Sequence, residues 1–326
     1  VPWQPHSIPD WQSERAVLLV HGIGNAAPGD YAELVTAVKS ALGPAADTTA
    51  IYQLWYDQVN DWFAAKNQLG DLFTTALSAV SDRIGDPELG PTLADVLGDI
   101  LWPVLVTDAR TAVREAYLWQ LKQMVQDGVN SGYPARRQRL SIICHSLGCF
   151  HTYEVLHHAA LYESHGLQPA KHGVVFENVI FMASPVQLIR TVANALGPLV
   201  PNKRWLYTTQ GDALTIPSQV KTMGGEVRSV KRWVSITGAL DPVGGYFFRH
   251  RADWAYMQVA GQEPPIVDAQ HALNITSKAQ LTATLRASLR DRQPPLITPT
   301  NPHSWETYVN NHAAALRSWL ARARSA

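Results

Sequence analysis

The sequence predicts an α/β fold built on a mostly parallel central sheet flanked by helices. Three observations carry this expectation. Short apolar runs such as Ala16-Val17-Leu18-Leu19-Val20 and Asn178-Val179-Ile180-Phe181-Met182 are continuous rather than alternating, as in strands buried on both faces. Segments of helical periodicity separate these runs, the alternation that parallel strands joined by crossover helices require. His21, Ser146, Ser184 and Asp241 each fall just after a predicted strand end. In open parallel sheets, ligands bind at the carboxyl ends of the strands.

The first strand, 16–20, ends at His21-Gly22-Ile23-Gly24-Asn25. A helix over 30–42 follows, with Asp30 as cap and Glu33 three residues on. Residues 50–56 read as a second strand. From 57 to 134 the pattern turns helical. Trp62, Leu69, Leu72, Phe73, Leu77 and Val80 recur at helical spacing, then Leu93, Val96, Leu97, Ile100 and Leu101, then Val113, Tyr117, Leu121, Met124 and Val129. A single crossover needs only one helix, so 57–134 is expected to be an inserted helical cap or lid. Residues 1–56 and 135–326 form the core domain around it. The next strand is 141–144, followed by a helix from Leu147 to about Glu163. Strand 178–182 ends at Ala183-Ser184-Pro185. A hairpin-like stretch covers 205–230, strand 232–237 ends at Gly238-Ala239-Leu240-Asp241-Pro242-Val243, and an amphipathic helix runs from Trp305 to the end.

Composition removes several function classes. The 326 residues carry 27 basic and 27 acidic side chains, a formal net charge of zero. Neither a basic stripe for nucleic acid nor a polybasic run for an anionic membrane is present. No apolar stretch approaches the roughly twenty residues of a membrane span, so no integral membrane segment is expected. The start, Val1-Pro2-Trp3-Gln4-Pro5, has neither a basic n-region nor an apolar h-region. A soluble, bacterial cytoplasmic setting is the working expectation and a secreted mature form the alternative; compartment and oligomeric state are left open. Cys144 and Cys149 lie five apart across a turn that a bridge would distort, and are expected to be reduced and buried.

The chemistry centres on Ser146. In Cys144-His145-Ser146-Leu147-Gly148 a β-branched strand enters a tight turn on a serine flanked by small residues, with Cys144 where a glycine often stands. This is the G-x-S-x-G pattern of a nucleophile elbow. A serine hydroxyl needs a base to take its proton and a carboxylate to orient the base. Asp241, after a strand and before a proline, is preferred as the acid over Asp212. His303, on the loop before the last helix, is preferred as the base over His271 among twelve histidines. Backbone donors for a developing oxyanion would come from Leu147 and from the turn after the first strand, at Ile23 or Gly24. His21, Gly22, Gly24 and His145 are expected to shape the substrate pocket.

On these motifs, and on the order Ser, Asp, His, the chain resembles the α/β-hydrolase family, most closely lipases and esterases with an H-G-x-G loop and a helical lid. The resemblance implies that Ser146 is nucleophile, His303 base and Asp241 its orienter, with Ile23 and Leu147 as oxyanion donors. It implies a small-molecule or lipid ester substrate, no nucleic acid, and neither metal nor cofactor. Amidase, thioesterase and peptidase activities use the same triad and stay open. Two other classes are a non-catalytic lipid- or partner-binding member of the fold and a dinucleotide-binding oxidoreductase. For the latter, Gly22-Ile23-Gly24-Asn25-Ala26-Ala27 fits G-x-G-x-x-A, but Pro28-Gly29-Asp30 interrupts the helix that should begin inside it.

Overall fold

The computed structural model describes residues 3–22, 31–56, 107–157, 164–167, 172–185, 219–222, 225–228, 230–238, 266–268 and 305–321. Within them the strands are β1 (Arg15–Val20), β2 (Ala50–Leu54), β3 (Arg139–His145), β4 (Phe176–Met182), β5 (Gln219–Thr222), β6 (Gly225–Arg228), β7 (Val230–Gly238) and β8 (Ile266–Asp268). The helices are α1 (Tyr31–Leu42), α2 (Thr107–Asn130), α3 (Leu147–His157), α4 (Trp305–Asn311) and α5 (Ala313–Leu320).

Six strands form one sheet in the order β2-β1-β3-β4-β7-β8, and every pairing in it is parallel. β5 and β6 form a separate antiparallel pair inside the stretch expected to be hairpin-like. The central strands are buried along almost their whole length, β3 at all seven positions. That explains why their sequences run apolar without alternation.

Alternate side chains of each strand feed two cores. On one face Leu18, Val20, Tyr52, Ile142 and Cys144 pack with Val113, Tyr117, Leu121 and Met124 of α2 and with Cys149 and Tyr153 of α3. On the other, Val17, Leu19, Ile51, Ile143 and Ile180 pack with Leu34 and Val38 of α1, Trp305 and Tyr308 of α4, and Leu316 and Leu320 of α5. The architecture is therefore α/β, a parallel sheet with helices on both faces.

α2 carries the third helical pattern of 57–134. Four of its five expected apolar positions are buried against the sheet, while Val129 is exposed. The first two patterns and the rest of the expected cap lie outside the described residues. The last helical segment is two helices rather than one, interrupted at His312. β8 escaped the sequence reading, because three residues leave no periodicity to detect. Among the described residues no helix is long and apolar enough to cross a membrane.

The N-terminal segment is fastened to the outer side of β2. Asp127 of α2 accepts hydrogen bonds from Ser7 Oγ, the Ile8 amide, Gln123 Nε2 and Tyr52 Oη. The Trp11 indole donates to Tyr52 Oη at 2.6 Å. His6 stacks on Trp55, and its Nδ1 accepts the Gln53 amide of β2 at 3.1 Å. Among the described strands β2 lies at the edge, and covering its Gln53 amide removes part of a template for pairing with other chains.

Candidate active site

The strand order locates the site before any side chain is considered. From β1 the chain crosses by α1 to β2 on one side, then returns by α2 to β3 on the other side of β1. α1 and α2 lie on opposite faces. The order reverses between β1 and β3, and in doubly wound sheets the crevice at such a switch point is the usual ligand site. The carboxyl ends of these two strands carry His21-Gly22 and His145-Ser146.

Ser146 joins β3 directly to α3, and its φ is 52°, in the left-handed region that residues with a β-carbon rarely enter. Its amide donates to the Met182 carbonyl at 3.0 Å, and its carbonyl accepts the Cys149 amide at 3.0 Å. The serine thus caps the helix while being held to β4. Strain of this kind persists where the surroundings over-determine it, and it clusters at functional sites. The neighbouring strand end repeats the feature. Ala183, after β4, has φ 53°, and its amide donates to Ile236 of β7 at 3.0 Å.

Two glycines permit the close approach. A β-carbon on Gly22 would overlap the Ser146 Cβ and stand 2.9 Å from its Oγ and 3.2 Å from the Leu147 amide nitrogen. The turn after β1 therefore lies directly against the serine hydroxyl and the first amide of α3. A β-carbon on Gly148 would meet the Val20 and His21 carbonyls at 2.5 and 2.6 Å, so only glycine lets α3 cross β1 this closely. The N-terminus of α3 also supplies backbone N–H groups and the positive end of a helix dipole beside the serine.

The residue before Ser146 belongs to a ring cluster. His145 is buried between Trp305 and Tyr308 of α4, with ring centroids 5.5 and 6.0 Å away, and the Trp305 planes lie 18° from parallel. His21 approaches Trp305 at 5.4 Å and His145 at 5.8 Å. His145 and His21, the last residues before Ser146 and Gly22, therefore share one ring cluster with α4.

Cys144 and Cys149 are free and buried, and their thiols donate to the Ile180 and Met182 carbonyls at 3.4 Å. Cys144 points into the sheet rather than out of the turn.

On α3, His151 is 1% exposed and packs edge-on against Tyr56 and Phe150. Burial, with the nearby Arg110 charge, pushes its pKa down to about 3. Glu154 is buried between Arg110 at 3.1 Å and Arg114 at 3.8 Å. Burial pushes its carboxyl up to about 7, against the pull of both guanidiniums. Neither residue was singled out from sequence, since a polar side chain on a helix gives no sign of facing inward.

Of the expected site residues, the structure brings together Ser146, Leu147, His145, His21 and Gly22. Ile23, Gly24, Asp241 and His303, with the runners-up Asp212 and His271, lie outside the described residues. Among the described residues, no group of His, Cys, Asp or Glu side chains is arranged to hold a metal ion. Compared with known proteins, the chain matches no family model, no curated protein and no solved structure.

Proposed function

We propose that this protein is a serine hydrolase of the α/β-hydrolase kind that cleaves carboxylic esters through an acyl-enzyme. The observation that carries the reading is Ser146 in a left-handed strand-to-helix turn, pressed against Gly22 at the switch point of a parallel sheet. A nucleophile elbow needs such a turn, and of the two left-handed strand ends, at Ser146 and Ala183, the one at Ser146 carries a hydroxyl.

Chain connectivity supports the proposed partners. His303 precedes Trp305 by two residues, a tether of at most about 7 Å, and the Trp305 ring lies 5.5 Å from that of His145. Asp241 follows Gly238, the last residue of β7, by three residues, a tether of at most about 10 Å. β7 lies two strands from β3 in the sheet, roughly 10 Å away. Both residues are thus within reach of the Ser146 end of the sheet.

In the proposed reaction Ser146 Oγ attacks the acyl carbon and gives its proton to His303, which Asp241 orients. The carbonyl electron pair moves to oxygen, which the amides of Leu147 and Ile23 stabilise. Collapse breaks the bond to the alcohol, which leaves with the proton from His303. Water then repeats the sequence on the acyl-enzyme and releases the acid. A helical cap over the site is proposed for the part of 57–134 that precedes α2.

The test is hydrolysis of p-nitrophenyl esters from acetate to long acyl chains, with the Ser146→Ala protein as blank. The reading requires turnover by the wild type that falls by roughly 10⁴ or more in the variant. Equal rates in both proteins would refute it.

A further inference from the structure

The His21 residue of the turn after β1 is gripped at both its backbone polar groups by tyrosine hydroxyls. Its amide donates to Tyr31 Oη at 3.1 Å, and Tyr31 Oη in turn donates to the Leu54 carbonyl at 2.7 Å. Its carbonyl accepts from Tyr56 Oη at 2.8 Å. Tyr31 opens α1, and Tyr56 lies two residues past the end of β2. The two rings are 2% and 1% exposed. Both hydroxyls thus work inside the protein, where orientation is held tightly and water does not compete.

The two peptide units of His21 are therefore fixed by groups from two other elements. The Val20–His21 unit is held through its N–H and the His21–Gly22 unit through its C=O. The chain has one further residue, Gly22, before the proposed oxyanion donor, and Gly22 already abuts Ser146 Oγ and the Leu147 amide. A glycine at this point is free to rotate unless something outside it sets its direction. The preceding peptide, anchored by Tyr56, sets it from one side, and the His21 imidazole Nδ1, which donates to the Gly22 carbonyl at 3.1 Å, holds it from the other.

We propose that Tyr31 and Tyr56 are positioning residues that aim the turn after β1 so that its backbone amide meets the oxyanion formed on Ser146. This rests on the hydrolase reading above. An oxyanion exists only after attack, so a misdirected donor weakens the transition state and leaves substrate binding nearly unchanged. That separates a positioning role from a merely structural one.

The test uses Tyr56→Phe and Tyr31→Phe, each of which removes one oxygen and keeps the ring. Three quantities are measured on each protein: kcat and KM for a p-nitrophenyl ester, inhibition by an alkyl boronic acid that forms a tetrahedral adduct on the serine, and the melting temperature. The expected result for Tyr56→Phe is a fall in kcat of about tenfold or more with KM within about twofold, and a boronate inhibition constant that rises in proportion to the loss of kcat. Tyr31→Phe should move the same quantities in the same direction by less, because its hydroxyl acts one peptide further from the donor. Unchanged kcat and boronate affinity in both variants would overturn the proposal, whatever the melting temperature does. So would a loss confined to KM or to stability. A wild-type protein with no Ser146-dependent turnover would overturn the hydrolase reading itself, a result distinguishable from an active wild type whose Phe variants are equally active.

Discussion

The indole of Trp305 lies over the imidazole of His145, with centroids 5.5 Å apart and planes 18° from parallel. One ring belongs to the residue before Ser146, and the other opens the helix that begins two residues after His303. The stack therefore ties the two ends of the proposed triad together through 160 residues of sequence.

If that tie positions the base, Trp305→Leu should lower turnover by tenfold or more, and Trp305→Phe should recover most of it. Trp305 is 2% exposed, and truncating a buried tryptophan costs on the order of 3 kcal/mol. Comparing activity per folded molecule, at a temperature where both variants are folded by circular dichroism, separates the two effects. Full specific activity in Trp305→Leu would show that the stack serves stability alone.

Gly22→Ala should be severely damaging. Its β-carbon would overlap the Ser146 Cβ, and the serine is fixed by backbone bonds to Met182 and Cys149. Either the turn after β1 or the serine must move, and a displacement of about 1 Å at a catalytic group costs on the order of 10² in rate. Ester turnover and melting temperature check this, and a Gly22→Ala protein with wild-type kcat would mean the two turns do not work together.

The proposed acid and base are distinguished from their rivals by paired substitutions. Asp241→Asn and His303→Ala should each depress turnover far more than Asp212→Asn and His271→Ala. The wild-type rate should rise with pH as the base loses its proton, through an apparent pKa near 7. An inactive Asp212→Asn beside a fully active Asp241→Asn would move the acid role to Asp212.

His151 should work against stability on the acid side. Its folded pKa of about 3 lies below the unfolded value of 6.5, so the unfolded chain binds the proton more readily. The stabilisation is full above pH 6.5 and is lost as pH falls toward 3, amounting to about 2 kcal/mol by pH 5. Glu154 acts in the opposite sense. Its folded pKa is raised from 4.5 to about 7, so its contribution is present below 4.5 and lost as pH rises through 7. Neither ring nitrogen of His151 has a hydrogen-bond partner, so His151→Phe should keep neutral-pH stability within about 1 kcal/mol. Urea denaturation of both proteins at pH 7.5 and 5 checks this. Glu154 acts alike in both proteins, so the stability of the wild type relative to His151→Phe should fall by about 2 kcal/mol from pH 7.5 to pH 5, and an unchanged difference would assign the acid sensitivity elsewhere.

Asp127→Asn should loosen the N-terminal segment. It would weaken the acceptor of four donors, two of them from residues 7 and 8, at a cost of roughly 2 kcal/mol. Hydrogen exchange should show residues 3–11 and the β2 edge losing protection together. Loss of protection in the segment alone would separate it from the edge.

Much of the fold was legible because its strands are buried on both faces. Continuous runs such as 16–20 and 178–182 have little alternative to a central parallel strand, and the strand-to-helix turn at Ser146 was legible from Cys144 and Gly148, two residues to either side. The direction of a helix face was harder to read. The pattern at Val113, Tyr117, Leu121 and Met124 is equally compatible with a cap and with a crossover, and only the packing of α2 on the sheet distinguishes them. The ring stack and the tyrosine grip on His21 were not legible either. Each joins residues that only the sheet order brings together, and a tyrosine at a strand end looks the same whether or not its hydroxyl holds a distant peptide.

The most direct measurement is covalent labelling of the folded protein by a fluorophosphonate, followed by peptide mapping. The account predicts one adduct per chain, on Ser146, absent from Ser146→Ala and from unfolded protein. An intact protein that takes up no label under conditions where a known serine hydrolase is fully labelled, or that carries the label on a different residue, would contradict it.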